Sequence, residues 1–191
     1  QPPRRAWPGR QQRPLRIGFI GSFNRAKGAH VLLEALALLG PERPLEVVLY
    51  GNPSDDPAYA AQLRRLAAPL PQVRWGGVFA SEQVYAVLAQ LDLLVVPSLW
   101  RENAPLIVLQ ALASGLPLLL SNVEGMADQV QSGTNALLFP PGDSRALAAL
   151  IQQLESEPRA LAALVNRGGT PRTIEDYGDQ LEQLYARLQR K

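Results

Sequence analysis

The stretch Leu15–Leu39, LRIGFIGSFNRAKGAHVLLEALALL, reads as a strand, a glycine turn and a helix in immediate succession. Its first six residues are apolar but for Arg16, a short run bounded by a turn signal, which suits a strand buried on both faces. Gly21 and Gly28 bracket a polar turn and allow tight backbone bends and close ligand approach. The helical stretch then runs His30–Leu39, with Gly40 placed as its C-cap.

The same alternation continues along the chain. Further strand-like runs are expected at Leu45–Tyr50, Val73–Trp75, Leu91–Val96, Leu116–Leu120 and Ala136–Phe139. Helical stretches separate them at Tyr59–Ala67, Ser81–Ala89, Pro105–Ala113 and Ser144–Glu155, with Ser81 as an N-cap and Gly115 as a C-cap. Parallel strands need crossover helices, so the pattern predicts an α/β fold: a Rossmann-like parallel sheet flanked by helices. Two more helices, Arg159–Asn166 and Thr173–Gln189, close the chain, the last with an apolar stripe through Ile174, Tyr177, Leu181, Leu184, Tyr185 and Leu188.

Composition narrows the chemistry. The 191 residues suffice for one sizeable core, and the absence of cysteine excludes disulfides and thiolate chemistry. His30 is the only histidine, which excludes histidine clusters, and it reads as a surface or half-buried packing residue. No apolar run reaches membrane-spanning length and no signal-peptide pattern opens the sequence, so a cytoplasmic protein is expected. The basic excess is local. Residues 1–16 hold five of the 19 basic residues (Arg4, Arg5, Arg10, Arg13, Arg16) and no acid, leaving 14 against 17 acids, or −3, in residues 17–191. Nucleic acid is therefore not an expected partner. Residues 1–14 read as a linker or tail, whose alternative use is a grip on anionic lipid at the inner membrane face.

Ligands of open α/β sheets bind beyond the carboxyl ends of the strands, so the residues after each strand carry the chemistry. After the first strand comes Lys27, one of only two lysines, at the start of a helix whose free N–H groups favour an anion. The turn matches neither a Walker A loop nor GxGxxG. After the fourth run comes PSLWRENAPL, Pro97–Leu106. Glu102 can accept hydrogen bonds from sugar hydroxyls, or stand as a solvated acid stabilised by the helix dipole. Pro105 sits near the first helical position, and Gln110 follows eight residues after Glu102.

Three segments together resemble the donor-binding, C-terminal half of GT-B glycosyltransferases, in the large retaining family numbered four, or group 1. Gly21, Phe23, Lys27 and Gly28 fit its G-x-[FL]-x-x-x-K-G turn. Pro97-Ser98, Glu102, Ala111, Gly115 and Pro117 fit its acidic segment, and Gly133, Leu137 and Pro141-Gly142-Asp143 its final motif. The resemblance spans roughly residues 15–188. It implies a nucleotide diphosphate sugar as donor, UDP- or GDP-linked, transferred with retention and with no cofactor or metal required. It makes Lys27 and Glu102 the catalytic pair, Lys27 on the diphosphate and Glu102 on sugar hydroxyls. Gly21, Ser22 and Arg25 would flank the diphosphate, the amides of Asn103, Ala104 and Leu106 would face sugar or phosphate, and Gln110 the ribose. The loop Gly76–Val78 would lie beside the base. An N-terminal acceptor-binding domain is implied as the partner of residues 15–191, which alone would transfer little or nothing.

Three positions depart from the family pattern. Gln110 stands where a second glutamate is usual, a loss of about 1 kcal/mol when a charge-assisted hydrogen bond becomes a neutral one. Ser22 stands where many relatives have arginine, with Arg25 a candidate to supply the missing charge. Glu124-Gly125 replaces a glycine pair, and a carboxylate there is unfavourable beside a diphosphate unless it points away. Asp128 reads as a helix-start residue and Trp100 as a partly buried packing residue. These departures keep other readings open: a degenerate nucleotide-binding module, a protein-interaction domain, or a sugar-nucleotide epimerase of the same fold.

Overall fold

The computed structural model describes residues 13–165 and 174–188. Six parallel strands form one sheet: β1 (Leu15–Ile20), β2 (Leu45–Tyr50), β3 (Val73–Gly77), β4 (Leu93–Val96), β5 (Leu118–Ser121) and β6 (Ala136–Phe139). Their order is β3-β2-β1-β4-β5-β6, which reverses direction between β1 and β4. That reversal is the topological switch point of a Rossmann-like sheet. The expected fold class is therefore the observed one.

Helices α1 (Ala29–Leu39), α2 (Pro57–Ala67), α3 (Val84–Ala89), α4 (Leu106–Ala113), α5 (Ser144–Ser156) and α6 (Pro158–Leu164) follow, and α7 (Ile174–Leu188) ends the described chain. Successive side chains on the central strands feed two separate cores, as the two-residue strand period requires. Leu93 and Val95 of β4 join Leu15, Ile17 and Phe19 of β1 in the core beneath α1, α2 and α5. Leu94 and Val96 join Leu118 and Leu120 of β5 beneath α3 and α4. Buried on both faces, these strands show no polar alternation, which explains their continuous apolar runs.

Helix boundaries follow capping chemistry. Asp56 accepts from the Tyr59 N–H ahead of Pro57, and Asp143 accepts from the Ala146 N–H, fixing the starts of α2 and α5. Ser81 is not a side-chain cap. The segment opens as a 3-10 turn, Ser81–Gln83, in which the Gln83 side chain accepts from the Ala80 N–H. The fourth strand begins at Leu93 rather than Leu91, because Leu91 closes the preceding helix and packs over Gly18. The fifth begins after Pro117, whose carbonyl accepts from Leu94 but which has no N–H to donate to the ladder. Gly40 and Gly115 do end their helices, at φ 86° and 70°. On α7, Tyr177, Tyr185 and Leu188 of the expected stripe are exposed. Arg4, Arg5 and Arg10, on which the lipid-grip reading of the leader rests, lie outside the described residues, as do Asn166, Thr173 and Gln189. Arg13 and Arg16 are not part of a free leader, for both pair with Asp92. No helix among the described residues is long and apolar enough to cross a membrane.

Candidate functional site

Backbone contacts bring the loops after β1 and β4 together at the switch point. The Leu99 N–H donates to the Ala26 carbonyl at 2.8 Å. Gly28 holds φ 71°, and a Cβ there would lie 1.9 Å from the Pro97 oxygen, so glycine is needed for contact as well as for conformation. The loop after β5 locks onto the same place. The Glu102 N–H donates to the Glu124 carbonyl at 3.0 Å. Gly125, at φ 80°, presses against the Glu102 carbonyl where any Cβ would come within 1.6 Å.

These loops enclose a recess of about 660 Å³ lined in part by Gly21, Ser22, Lys27, Ser98, Glu102, Leu106 and Gln110. At its floor Lys27 and Glu102 touch each other. Lys27 Nζ lies 2.7 Å from Glu102 Oε1 and 3.0 Å from Oε2. The Ser98 hydroxyl donates to Oε1 at 2.7 Å, and the Trp100 indole N–H reaches the same oxygen at 3.3 Å. Burial pushes the Glu102 carboxyl up, but the hydrogen bonds from Lys27 and Ser98, the lysine charge and the indole outweigh it and hold the carboxyl below its usual range. Glu102 is therefore an anion at neutral pH, with its side chain only 8% exposed beside a Lys27 that is 28% exposed.

The start of α4 supplies donors. Pro105 is the N-cap rather than the first helical residue. Ala104 turns the chain into the helix at φ 49°, a left-handed conformation that costs an alanine about 1 kcal/mol. The N–H groups of Asn103, Ala104, Leu106 and Ile107 have no partner among the described residues. Leu106, Ile107 and Gln110 line the recess, whereas Asn103 and Ala104 form the turn at its edge. Gly21 and Ser22 also line an adjoining recess of about 240 Å³, together with Gly77, Val78 and Phe79. The loop expected beside a base, Gly76–Val78, thus borders the smaller hollow through Gly77 and Val78 and does not line the larger one, whereas the next residue, Phe79, lines both.

Other expected residues stand elsewhere. Arg25 is exposed and lines neither recess; its charge acts on His30 and Tyr59. His30 is buried rather than at the surface, with its ring Nδ1 2.6 Å from the Tyr59 hydroxyl. Burial lowers the His30 pKa, so the imidazole is a neutral packing group. Trp100 is 57% exposed and is no packing residue. Glu124 points away to an exposed ion pair with Arg101 at 2.6 Å, and Asp128, in the 3-10 turn Ala127–Gln129, reaches back to accept from the Gly125 N–H at 3.1 Å. Sequence reasoning passed over Ser98 as a site residue, although a serine placed directly after a buried strand beside Pro97 is the available signal. Among the described residues no three His, Asp or Glu side chains converge. Lys27, Leu106 and Ile107 line the recess, and the free N–H groups of the last two, like the lysine, are able to meet an anion.

Residues 14–157 match the family model of the glycosyl transferases of group 1. The chain is 30% identical over 182 residues to a D-inositol 3-phosphate glycosyltransferase of Corynebacterium urealyticum, covering 90% of this chain and 43% of that protein. The sucrose-phosphate synthase of Thermosynechococcus elongatus superposes with a TM-score of 0.78 at 28% identity, over 93% of this chain and 46% of that one. HepE of Anabaena, in complex with UDP-glucose, superposes with a TM-score of 0.74 at 22% identity, over 91% of this chain and 49% of that one.

Proposed function

The chain belongs to the group 1 glycosyl transferases, with the fold of their C-terminal GT-B half, and from that premise we propose that residues 15–191 bind the nucleotide diphosphate sugar in a retaining glycosyl transfer. The observation that carries this reading is the Lys27–Glu102 pair at the floor of a recess bordered by unpaired α4 amides.

Lysine has three N–H donors. At most two are directed to Glu102, so one remains for a phosphate oxygen. Lys27 and the amides of Leu106 and Ile107 then face the diphosphate, and stabilise the negative charge that develops on it as the glycosidic bond breaks. Glu102 receives a sugar hydroxyl, and Gln110, on the second turn of α4, reaches the ribose. The base lies against the Gly76–Val78 loop and Phe79. Arg25 adds long-range charge at most, since it lies off the recess. The chain spans 43% of the length of its Corynebacterium relative, and the acceptor site is assigned to an N-terminal domain of a longer protein. The bound UDP-glucose of HepE supports a uridine diphosphate sugar as the first donor to test.

The test is a thermal-shift panel of UDP-, GDP- and ADP-glucose. One nucleotide class at about 100 times its Kd should raise Tm by roughly 5 °C, and the rise should vanish in Lys27→Ala. No rise with any of the three, or an undiminished rise in Lys27→Ala, contradicts the proposal.

A further inference from the structure

Glu102 is held more tightly than hydroxyl recognition alone requires, and the hold is lopsided. Three donors converge on Oε1: Lys27 Nζ at 2.7 Å, the Ser98 hydroxyl at 2.7 Å and the Trp100 indole at 3.3 Å. Among the described residues only Lys27, at 3.0 Å, reaches Oε2. A carboxylate offers about four lone-pair positions, two per oxygen. Oε1 is therefore filled by the chain itself, while Oε2 keeps one position open.

We infer that Ser98 and Trp100 are positioning residues that occupy one oxygen of Glu102, so that Oε2 alone is offered to the ligand and the carboxylate takes one sugar hydroxyl rather than a vicinal pair. The inference rests on the reading of Glu102 as the sugar-binding carboxylate.

The terminal torsion of a glutamate is broad and roughly two-fold, so an unheld carboxylate presents either oxygen. Here it is gripped from both sides of the switch point. Lys27 comes from the loop after β1, whereas Ser98, wholly buried, comes from the segment after β4. The main chain of Glu102 is fixed as well, by its N–H bond to Glu124 and by Gly125 against its carbonyl. A ligand hydroxyl thus meets an acceptor already oriented, and less freedom is lost on binding. Trp100 contributes through its N–H rather than by burial, since its ring is largely exposed. Phenylalanine would keep the ring and remove only the donor.

A direct test titrates the Glu102 side-chain carboxyl by carbon-13 NMR in the ligand-free chain, in wild type, Ser98→Ala and Trp100→Phe. Each variant removes a donor that favours the anion, so the carboxyl should titrate at higher pH in both, and further in Ser98→Ala. Calorimetry with UDP-glucose and UDP forms the second arm. Ser98→Ala should weaken UDP-glucose about fivefold and leave UDP within about twofold, because the lost hydrogen bond serves only the sugar contact. A titration unmoved in both variants, or equal weakening of UDP and UDP-glucose, overturns the inference. Should wild type bind UDP-glucose no better than UDP, the sugar-binding reading of Glu102 falls, while the titration still decides whether Ser98 and Trp100 hold the carboxylate.

Discussion

At the starts of β1 and β4, Asp92 is held by Arg13 and Arg16; at the ends of the same two strands, Glu102 is held by Lys27, Ser98 and Trp100. Both carboxylates bridge the central strand pair, and both lie below their ordinary pKa despite burial. They differ in what they leave open. Arg13 forks onto Asp92 with bonds of 2.6 and 2.8 Å, one to each oxygen, and the Arg16 N–H adds a third at 3.0 Å. Asp92 is 1% exposed and borders neither recess. Glu102 keeps an open acceptor position facing a recess. A closed pair fastens the strands, whereas an open one has an acceptor to offer the proposed ligand, and the chain has one of each at opposite ends of the same strand pair.

The largest expected effect is on the closed pair. Asp92→Ala should lower unfolding stability by about 3 kcal/mol, the low end for a broken buried pair because both arginines are partly exposed and can turn to water. Urea denaturation measures it, and UDP-glucose affinity of the folded protein should stay as in wild type. A change in affinity as large as that in stability would erase the distinction between the two ends.

Acid should act on both pairs. Each carboxyl binds its proton more weakly in the folded chain than in the unfolded one. The stabilisation each provides is therefore complete above the unfolded-state pKa of about 4, and is lost as pH falls through the lower folded-state value. Urea midpoints followed from pH 7 down to pH 2.5 should fall less steeply below pH 4 in Asp92→Asn and in Glu102→Gln than in wild type. An unchanged slope in both would contradict the hold on these carboxyls.

A smaller effect sharpens the open end. Gln110→Glu restores a charged acceptor on the recess wall, and should tighten UDP-glucose binding several-fold, or about 1 kcal/mol. Calorimetry reads it, and weaker binding would show that the added carboxylate meets the diphosphate instead of the ribose.

The sequence carried the architecture because buried parallel strands announce themselves as apolar runs, and Gly40 and Gly115 mark helix ends by a conformation other residues resist. It also pointed to segments that line the recess, since Gly21–Gly28 and Pro97–Leu106 directly follow strands. What it concealed were contacts across long separations. Lys27 and Glu102 stand 75 residues apart and Arg13 and Asp92 79, and no local pattern links them. Residue type also misled at one place: a tryptophan suggests burial, yet Trp100 is exposed and contributes its N–H. The condition set on Glu124 is met, since its carboxylate points away, and the adjacent Gly125 is the position whose missing Cβ admits the Glu102 carbonyl. The direction of Arg25 depends on its rotamer, which sequence does not specify.

The most direct test of a ligand site at the carboxyl end of the switch point is amide chemical-shift mapping with saturating UDP-glucose. Shifts are expected at Gly21, Ser22, Lys27, Ala104, Leu106, Ile107 and Gln110, and none at Arg16 or Asp92. Shifts confined to other surfaces, or an unchanged spectrum, would contradict such a site.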